Sequence, residues 1–239
     1  MIGEIGKVYL VGAGPGDVEY LTVKAYRLLT SAQVLVYDAL VDSQLLDYVP
    51  VDCLTIDVGK RGGKISTSQN EINNLLVKYC LDKKQVIRLK SGDPLIFGRC
   101  ILEIEALKKA GCQFEIIPGI SSALAAPLLA GIPLTDNVLS RCFAVCTAHE
   151  PESLNWQALA SLETLVILMG GKNLPEIIHQ LIKYRKSPST PIAIIRWAGT
   201  SSQEVWIGEL GNILAQTADL SLSPAVIVIG EVVRLRDYI

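Results

Sequence analysis

Glycine-rich loops that follow apolar, β-branched runs contain the residues of this sequence best suited to bind a ligand. The first loop, Gly-Ala-Gly-Pro-Gly-Asp at 12–17, follows the run 7–11 and resembles the dinucleotide fingerprint G-x-G-x-x-G. Asp17 occupies the third glycine position and Pro15 removes a backbone N–H, and both changes weaken a cradle for pyrophosphate. Asp38 nevertheless ends the second run, where a Rossmann fold places the acid that holds a ribose. The loop is predicted to bind a ligand, and a dinucleotide remains one possible ligand.

Four more predicted strand ends carry glycine, serine or charged residues. They are Lys-Ser-Gly-Asp-Pro-Leu-Ile-Phe-Gly-Arg at 90–99, Pro-Gly-Ile-Ser-Ser at 118–122, Met-Gly-Gly-Lys at 169–172 and Ala-Gly-Thr at 198–200. Because the carboxyl ends of strands line the ligand crevice of open parallel sheets, we expect these loops to form the binding site. Glycines there let a ligand approach the backbone, and the carboxylate of Asp93 can accept hydrogen bonds from hydroxyl or amine groups.

Basic residues gather around a separate loop, Gly-Lys-Arg-Gly-Gly-Lys at 59–64, after the third run. The predicted cationic cluster consists of the loop cations and three basic residues from elsewhere: Lys60, Arg61, Lys64, Lys90, Arg99 and Arg141. Such a cluster in a chain of formal net charge −2 predicts a site for a substrate rich in carboxylates or phosphates.

Ten apolar runs are predicted to be the strands that position these loops. They cover residues 7–11, 34–37, 54–58, 85–89, 114–117, 142–147, 164–169, 191–197, 204–207 and 225–228. Most of the runs do not alternate with polar residues, which is typical of strands covered on both faces in a parallel sheet. Helical patterns lie between the runs, so the sequence predicts an α/β fold.

Two of the predicted helices have clear boundary signals. One carries apolar residues at i, i+3, i+4 and i+7 from Ile72, after a capping box formed by Ser68 and Glu71. The other covers residues 99–110 and ends at Gly111, a residue type that favours the C′ position.

Ten strands are many for one small sheet, and the segment 118–122 lies near the middle of the chain. We therefore expect two α/β domains, residues 1–118 with a mostly parallel sheet and residues 119–239 with a mixed sheet. The cleft between such domains is a common place for a ligand, so the cofactor is expected there.

The composition argues against several classes of protein. Half of the 239 residues are apolar and 19% are charged, which excludes a disordered chain, and the near-neutral charge argues against a nucleic-acid partner. The longest weakly polar stretch, residues 123–134, is short of the ~20 residues of a membrane span. Without a signal-peptide core, the protein is expected in the cytoplasm with no membrane partner. Six cysteines without a Cys-x-x-Cys pair and only two histidines argue against a metal site.

Several segments also resemble the motifs of one known family, the uroporphyrinogen-III C-methyltransferases. The matching segments lie at 8–17, 37–38, 58–61, 88–94, 96–99, 118–122, 130–135 and 230–233. The first glycine loop and the Gly-Asp-Pro loop are shared by the wider tetrapyrrole methyltransferases, whereas Gly-Lys-Arg and Ile-Phe-Gly-Arg are typical of this branch. The resemblance runs from about residue 6 to the end of the sequence, in order and without large gaps.

The resemblance implies a fold, a reaction and an assembly. The fold would be two α/β domains with a cofactor cleft between them, in a homodimer. The cofactor would be S-adenosyl-L-methionine, which becomes S-adenosyl-L-homocysteine. The substrate would be uroporphyrinogen III, methylated at C2 and C7 to give precorrin-2 by way of precorrin-1, for sirohaem or cobalamin synthesis.

The resemblance also implies roles for individual residues. Asp38 matches the family's proton acceptor and Lys60 its proton donor. The residues matching cofactor-binding positions are Pro15, Ser91, Gly92, Asp93, Ile96, Ser121, Ser122, Met169, Gly199 and Ala225. The basic cluster, with Arg61, Lys64, Lys90, Arg99 and Arg141, would then bind the carboxylates of the tetrapyrrole.

The sequence departs from the family pattern at four positions and leaves three further functions open. Ser91, Cys100 and Ala148 stand where glycine is common, and Asp136 stands where histidine is frequent. A sister methyltransferase acting on a later corrin precursor would share the cofactor loops. A nicotinamide-dependent oxidoreductase would use the first glycine loop and Asp38, and a non-catalytic ligand sensor would keep the same loops without turnover.

Overall fold

The computed structural model describes residues 6–59 and 67–239 and divides the chain into two compact units, Met1–Ser121 and Ser122–Ile239. We call them the N-terminal unit and the C-terminal unit. The sequence places the division at 118/119, and the structure places it after Ser121, at the start of a helix.

The N-terminal unit contains a five-stranded, fully parallel sheet in the order β3-β2-β4-β1-β5. Its strands are β1 Lys7–Gly12, β2 Val34–Tyr37, β3 Leu54–Asp57, β4 Gln85–Lys90 and β5 Gln113–Ile117. Its helices are α1 Val23–Leu29, α2 Gln69–Leu81 and α3 Cys100–Lys109, with short 3₁₀ helices at Val18–Tyr20 and Ser43–Tyr48.

Helices cover both faces of this sheet, as the non-alternating apolar runs predict. On one face Val8, Val36 and Val86 pack against residues of α2 and α3. On the other face Leu35 and Ile87 belong to a second core that includes residues of α1. Since side chains alternate along a strand, the residues of β4 at positions 86, 88 and 90 all point toward α2 and α3.

The predicted helix boundaries are confirmed where the sequence signals are strong. Ser68 and Glu71 form a reciprocal capping box at the start of α2, in which the Ser68 hydroxyl accepts from the Glu71 N–H at 3.3 Å and the Glu71 carboxylate accepts from the Ser68 N–H at 2.7 Å. Gly111 follows α3 with a φ of +70°, the left-handed conformation that glycine adopts without strain.

The C-terminal unit contains a mixed sheet in the order β6-β7-β10-β8-β9, in which only β6 and β7 are parallel. Its strands are β6 Phe143–Thr147, β7 Thr164–Leu168, β8 Pro191–Arg196, β9 Glu204–Glu209 and β10 Ala225–Ile229. Its helices are α4 Ser122–Leu129, α5 Trp156–Ala160, α6 Leu174–Lys183 and α7 Ile213–Gln216, with 3₁₀ helices at Pro151–Ser153, Gly171–Asn173 and Glu231–Tyr238. Alternate residues of β7 and β8 enter two apolar cores on opposite faces of the sheet.

All ten predicted strands are present, and several of their ends differ by a residue or two. The runs 164–169 and 191–197 are one residue too long because Met169 and Trp197 have φ values of +56° and +50°, which extended backbone does not permit. The run 204–207 is too short, since β9 continues to Glu209.

The structure also bears on membranes and metals. No helix among the described residues is both long enough and apolar enough to cross a bilayer. Within residues 6–59 and 67–239, no group of three or more His, Cys, Asp or Glu side chains is arranged to hold a metal ion.

Candidate active site

Three loops of the N-terminal unit are joined by backbone contacts where β1, β4 and β5 end. Gly14 and Gly92 form an antiparallel bridge, with N···O distances of 2.8 and 3.2 Å. The N–H of Ala13 donates to the carbonyl of Lys90 at 2.7 Å. The first glycine loop and the Gly-Asp-Pro loop are therefore one structural feature, as expected from the shared edge of a parallel sheet.

Glycine is required where these loops meet. A Cβ atom at Gly12 would lie 2.6 Å from the backbone of Gly119, and one at Gly119 would lie 2.2 Å from the carbonyl oxygen of Gly92. Real Cβ contacts are never that short, so these glycines permit three chain segments to pack backbone against backbone.

Asp93 connects two of the loops through its side chain. Its Oδ1 atom accepts from the N–H of Leu95 at 2.8 Å, and its Oδ2 atom accepts from the N–H of Gly119 at 3.2 Å. Each oxygen keeps a second lone pair, so the carboxylate can shape the loops and still accept a hydrogen bond from a ligand.

Asp17 explains why the first loop departs from a dinucleotide fingerprint. Its carboxylate accepts from the N–H of Glu19 at 2.9 Å and caps the 3₁₀ helix Val18–Tyr20, and α1 begins only at Val23. Dinucleotide-binding loops open directly into the N-terminus of an α-helix, where the free N–H groups bind pyrophosphate. The geometry therefore disfavours a nicotinamide-dependent oxidoreductase. Pro15, predicted to bind the cofactor, lies half-buried within this loop.

Asp38 lies at the same edge of the sheet, directly after β2. Its N–H donates to the carbonyl of Leu89 at 3.3 Å, and its Oδ1 atom is 2.5 Å from Nη2 of Arg88. The Arg88 side chain is 2% exposed, whereas that of Asp38 is 32% exposed. A buried guanidinium thus holds a carboxylate that solvent or a substrate can reach.

Arg88 belongs to a buried charge cluster that we define as Asp38, Arg88, Lys90 and Glu103. Arg88 Nε and Lys90 Nζ both donate to Oε1 of Glu103 at 2.9 Å. Burial by itself lowers the pKa of Arg88, but the charges of Asp38 and Glu103 outweigh that effect and raise this pKa above its ordinary value.

The position of Lys90 differs from the expectation that it belongs to an exposed cationic patch. It is the last residue of β4, is almost fully buried and is paired with Glu103. The sequence predicts that the strand ends at residue 89. In the structure Lys90 belongs to β4, and because side chains alternate along a strand, Lys90 points toward α3 rather than toward solvent.

The loop after Asp93 is strained and apolar at its surface. Phe97 and Arg99 have φ values of +54° and +55°, conformations that cost free energy in residues other than glycine and concentrate at functional sites. Leu95, Ile96 and Phe97 are exposed, as is Arg99 at the start of α3. Ile96 is therefore accessible to a ligand, and Arg99 is an accessible cation.

The predicted proton donor Lys60 and the substrate residues Arg61 and Lys64 lie outside the described residues. The preceding Gly59 is described, and a Cβ atom there would lie 2.2 Å from the backbone nitrogen of Ala39, the residue after Asp38. The chain therefore enters this basic segment from a point packed against the neighbour of Asp38.

Three predicted cofactor-binding residues, Met169, Gly199 and Ala225, lie with Trp197 at one edge of the sheet of the C-terminal unit. Met169 follows β7 and Trp197 follows β8, while Ala225 begins the antiparallel β10. The Trp197 N–H donates to the carbonyl of Pro224 at 3.3 Å, and Gly199, with a φ of +80°, lies in the turn that follows. Met169 is 50% exposed despite its left-handed conformation.

Ser121 ends the N-terminal unit and Ser122 begins the C-terminal unit. Ser122 is the first residue of α4, and Ser121 makes polar contacts of its own.

Comparison with known proteins identifies the family. A family model described as Tetrapyrrole (Corrin/Porphyrin) Methylases matches residues 7–214. The chain belongs to the tetrapyrrole methylase family. A Synechococcus elongatus relative named uroporphyrinogen-III C-methyltransferase is 59% identical over 98% of this chain and 96% of its own length.

Two further matches extend this result to an archaeon and to a crystal structure. A Methanosarcina barkeri protein named S-adenosyl-L-methionine-dependent uroporphyrinogen III methyltransferase is 43% identical over all of this chain and 96% of its own. The crystal structure of a Thermus thermophilus uroporphyrin-III C-methyltransferase with S-adenosylhomocysteine has a TM-score of 0.83 and 35% identity, covering 96% of this chain and 100% of that chain.

Three of the four departures from the tetrapyrrole methylase pattern lie in surroundings that the structure defines, and nothing in the structure explains Ser91. Oδ1 of Asp136 accepts from the N–H groups of Val138 and Leu139 at 2.8 Å, and these bonds lower the pKa of the carboxyl. Ala148 is fully buried. Burial raises the pKa of Cys100 to about 11, so its thiol is unreactive.

Arg141, the last predicted substrate residue, belongs to the C-terminal unit. It is exposed, its N–H donates to Oε2 of Glu163 at 2.6 Å, and its Nε donates weakly to the carbonyl of Asn137 at 3.4 Å. Its guanidinium thus retains further N–H donors for an acidic ligand.

Sequence reasoning missed Arg88 and Glu103 as parts of the site. The available signal was the presence of Arg88 in an otherwise apolar, non-alternating run, where a charge is rarely buried without a partner. Glu103 shares a helix face with Cys100 and Leu107, at i, i+3 and i+7, which marks it as a buried acid.

Proposed function

We propose that this chain is an S-adenosyl-L-methionine-dependent methyltransferase that methylates uroporphyrinogen III at C2 and C7. The product is precorrin-2, formed by way of precorrin-1, which supplies sirohaem or cobalamin synthesis. The observation that carries this proposal is the 59% identity to the named Synechococcus elongatus enzyme over 98% of the chain. The partly exposed Asp38 carboxylate, held by a buried arginine beside the glycine loops, provides a group suited to the reaction.

The residues of the glycine loops fit S-adenosyl-L-methionine. The close backbone packing of Gly12 and Gly119 against each other and against Gly92 fixes the three loops at the strand ends, where a ligand with a sugar and an amino-acid group would bind. The cofactor supplies an electrophilic sulfonium methyl group. The residues proposed to bind the cofactor are Pro15, Ser91, Gly92, Asp93, Ile96, Ser121, Ser122, Met169, Gly199 and Ala225.

Asp38 is the group that accepts a proton in this proposal. An electron-rich pyrrole carbon of the substrate is the nucleophile, and its ring N–H becomes more acidic as electron density leaves the ring. A carboxylate positioned within hydrogen-bond reach can take that proton, an effect that contributes roughly 10²–10⁴-fold to rates. Arg88 keeps this carboxylate oriented through its Nη2 contact.

The accessible cations bind the substrate's carboxylates. Lys60, Arg61, Lys64, Arg99 and Arg141 serve this role, and Lys90 does not, because it is buried against Glu103. We expect Lys60→Ala to raise the KM for the tetrapyrrole more than it lowers kcat, since a lost ground-state contact affects mainly binding. Steady-state kinetics showing a loss of kcat alone would assign Lys60 to proton donation instead.

The test is an anaerobic incubation with uroporphyrinogen III and S-adenosyl-L-methionine, followed by mass spectrometry of the tetrapyrrole. A gain of two methyl groups is expected, and Asp38→Asn serves as the matched, slowed control. Cofactor binding by calorimetry without methyl gain would favour a sister methyltransferase with a later corrin precursor as substrate. The absence of both cofactor binding and methyl gain would overturn the proposal.

The proposal includes a homodimer that acts in the cytoplasm. Leu95 and Phe97 are exposed apolar side chains on either side of Ile96, and burial of such side chains favours association with a second copy. All six cysteines are free thiols, as is usual in a reducing compartment. Light scattering after size-exclusion chromatography should give twice the chain mass, and fractionation of cells should place the protein with cytoplasmic enzymes.

A further inference from the structure

Glu103 is a buried carboxylate that the proposed reaction does not use. It lies in the first turn of α3 and is fully buried. Its Oε1 atom accepts from both Arg88 Nε and Lys90 Nζ at 2.9 Å. Its Oε2 atom is buried and has no hydrogen-bond partner within the described parts of the chain.

This arrangement is a poor way to stabilise a fold. A buried polar atom without a hydrogen bond destabilises the fold, and buried ion clusters are often no more stabilising than apolar side chains of similar volume. A function other than stability therefore offers a better account of why two cations and an acid occupy the space between β4 and α3.

Glu103 acts on Asp38 through the guanidinium of Arg88. Nε of Arg88 donates to Glu103, and Nη2, on the same edge of the planar group, donates to Asp38 at 2.5 Å. Nη1 donates to the carbonyls of Leu89 and Val36 at 3.3 and 3.5 Å. Because the guanidinium is rigid and planar, the Nε contact helps to fix the direction in which Nη2 holds Asp38.

Glu103 acts on the Gly-Asp-Pro loop through Lys90. A Cβ atom at Gly98 would lie 3.3 Å from Cε of Lys90, so the lysine side chain packs beneath the strained end of this loop. The lysine carbonyl also accepts from Ala13 in the first glycine loop. Oε1 of Glu103 thus contacts both Arg88, which holds Asp38, and Lys90, which packs against the Gly-Asp-Pro loop and bonds to the first glycine loop.

The charges of the cluster balance when all four members are ionised. Asp38 and Glu103 are negative, and Arg88 and Lys90 are positive. Cys100 lies one turn earlier on α3 and senses the charges of Glu103, Lys90, Arg88 and Asp93. Its burial and the charge of Glu103 raise its pKa, so that its thiol stays neutral. Loss of the Glu103 charge would leave Asp38 facing an excess of buried positive charge.

We infer that Glu103 is a positioning residue for methyl transfer, which sets the orientation and the charge environment of Asp38 through Arg88 and couples them to the cofactor loops through Lys90. This inference rests on the proposed function, in which Asp38 accepts a proton. It assigns Glu103 no contact with substrate or cofactor.

Glu103→Gln is the first variant because it keeps the side-chain shape and one acceptor oxygen. We expect kcat to fall at least about tenfold, part of the roughly 10²–10⁴-fold effect of a positioned acid or base. The KM for the tetrapyrrole should change by no more than about threefold, because ground-state contacts are retained. The acid-side inflection of the kcat–pH profile should move to lower pH, since one negative charge near the base is gone.

Two further variants separate electrostatics from packing. The double variant Lys90→Met with Glu103→Gln restores charge balance, so it should move the kcat–pH inflection back toward that of the wild type. Glu103→Asp keeps the charge and should show a smaller displacement of that inflection than Glu103→Gln. A purely structural role predicts instead that the double variant is worse than either single one, with no movement of the inflection.

The outcomes distinguish this inference from the proposed function. An inactive wild-type enzyme would overturn the proposed function. If the wild type is active and Glu103→Gln has the same kcat and the same pH profile, the inference is overturned and the proposed function stands. If thermal melting shows that Glu103→Gln does not fold, the Glu103→Asp and double variants decide by the same pH criterion.

Discussion

The two units of this molecule bury different kinds of polar groups. Among the described residues, the buried charged side chains are Arg88, Lys90 and Glu103, all in the N-terminal unit. The buried polar side chains of the C-terminal unit carry only hydroxyl groups: Ser140, Thr164, Thr190 and Thr217. Among the described residues, one unit therefore buries charged side chains, and the other buries only neutral polar ones.

The difference matches two tasks of the proposed reaction. Proton transfer requires a charged group with a fixed orientation, and buried partners supply this because interactions between charges are stronger away from water. Recognition of an uncharged adenine requires an apolar, closely fitting surface with a few backbone groups. In the proposed function, the edge containing Met169, Gly199 and Ala225 serves the second task.

The largest predicted effect comes from breaking the buried charge cluster. Arg88→Met should lower the free energy of unfolding by about 3–5 kcal/mol, because it leaves the buried Glu103 carboxylate without one of its two cationic partners. The control in the C-terminal unit is Arg196→Met, which removes a partly exposed pair with Glu204 and should cost about 1 kcal/mol or less. Denaturant unfolding measures both, and equal losses would remove the contrast between the units.

The next effect concerns the backbone junction of the glycine loops. Gly119→Ala places a methyl group 2.2 Å from the Gly92 carbonyl and should destabilise the protein by about 2–3 kcal/mol while weakening S-adenosyl-L-methionine binding at least tenfold. Gly211→Ala is the control, since its methyl group would lie 3.3 Å from the nearest atom, the carbonyl oxygen of Pro188. Calorimetric titration should find cofactor affinity unchanged in that control.

A smaller effect is expected at the strained edge of the C-terminal unit. Met169→Gly removes a side chain from a left-handed conformation and should stabilise the fold by about 1 kcal/mol. It should also weaken cofactor binding roughly tenfold, because an exposed thioether contact is lost. Arg185→Gly, at a φ of +71° outside the site, should give the stabilisation without the loss of affinity. Equal cofactor affinity in the two variants would place Met169 outside the cofactor site.

The smallest effect should occur at a surface ion pair of the N-terminal unit. Hydrogen bonds from Lys24 and Lys7 lower the pKa of Glu115 from 4.5 to about 2. The stabilisation from this carboxylate is therefore present above pH 4.5 and is lost as the pH falls toward 2. Glu115→Gln should melt slightly below the wild type at pH 7, and the gap should close by pH 2. A gap that persists at pH 2 would contradict this linkage.

The fold was predictable where local signals and burial agree. The strand at Val34–Tyr37, the capping box at Ser68 and the turn at Gly111 follow from residue types alone. Strand ends were less predictable at Met169 and Trp197, because a left-handed conformation in such residues depends on tertiary contacts that no local pattern indicates.

The loops of the candidate site were predictable from the sequence, whereas the buried residues that hold them were not. Asp38 and Asp93 follow from their places after strands. The burial of Lys90 and its pairing with Glu103 depend on which face of β4 meets α3, which a single sequence does not specify. Asp17 likewise required the structure, since a capping carboxylate and a ligand-binding carboxylate have the same residue type.

The proposed difference in function between the two units is tested most directly by measuring the rate of methyl transfer and the affinity for the cofactor separately. Single-turnover methyl transfer at saturating cofactor and calorimetric cofactor affinity would be compared for Asp38→Asn and Met169→Gly. The account predicts that Asp38→Asn slows transfer on the order of 10²-fold with the Kd within about threefold, and that Met169→Gly does the reverse. Equal effects of the two variants on both quantities would contradict it.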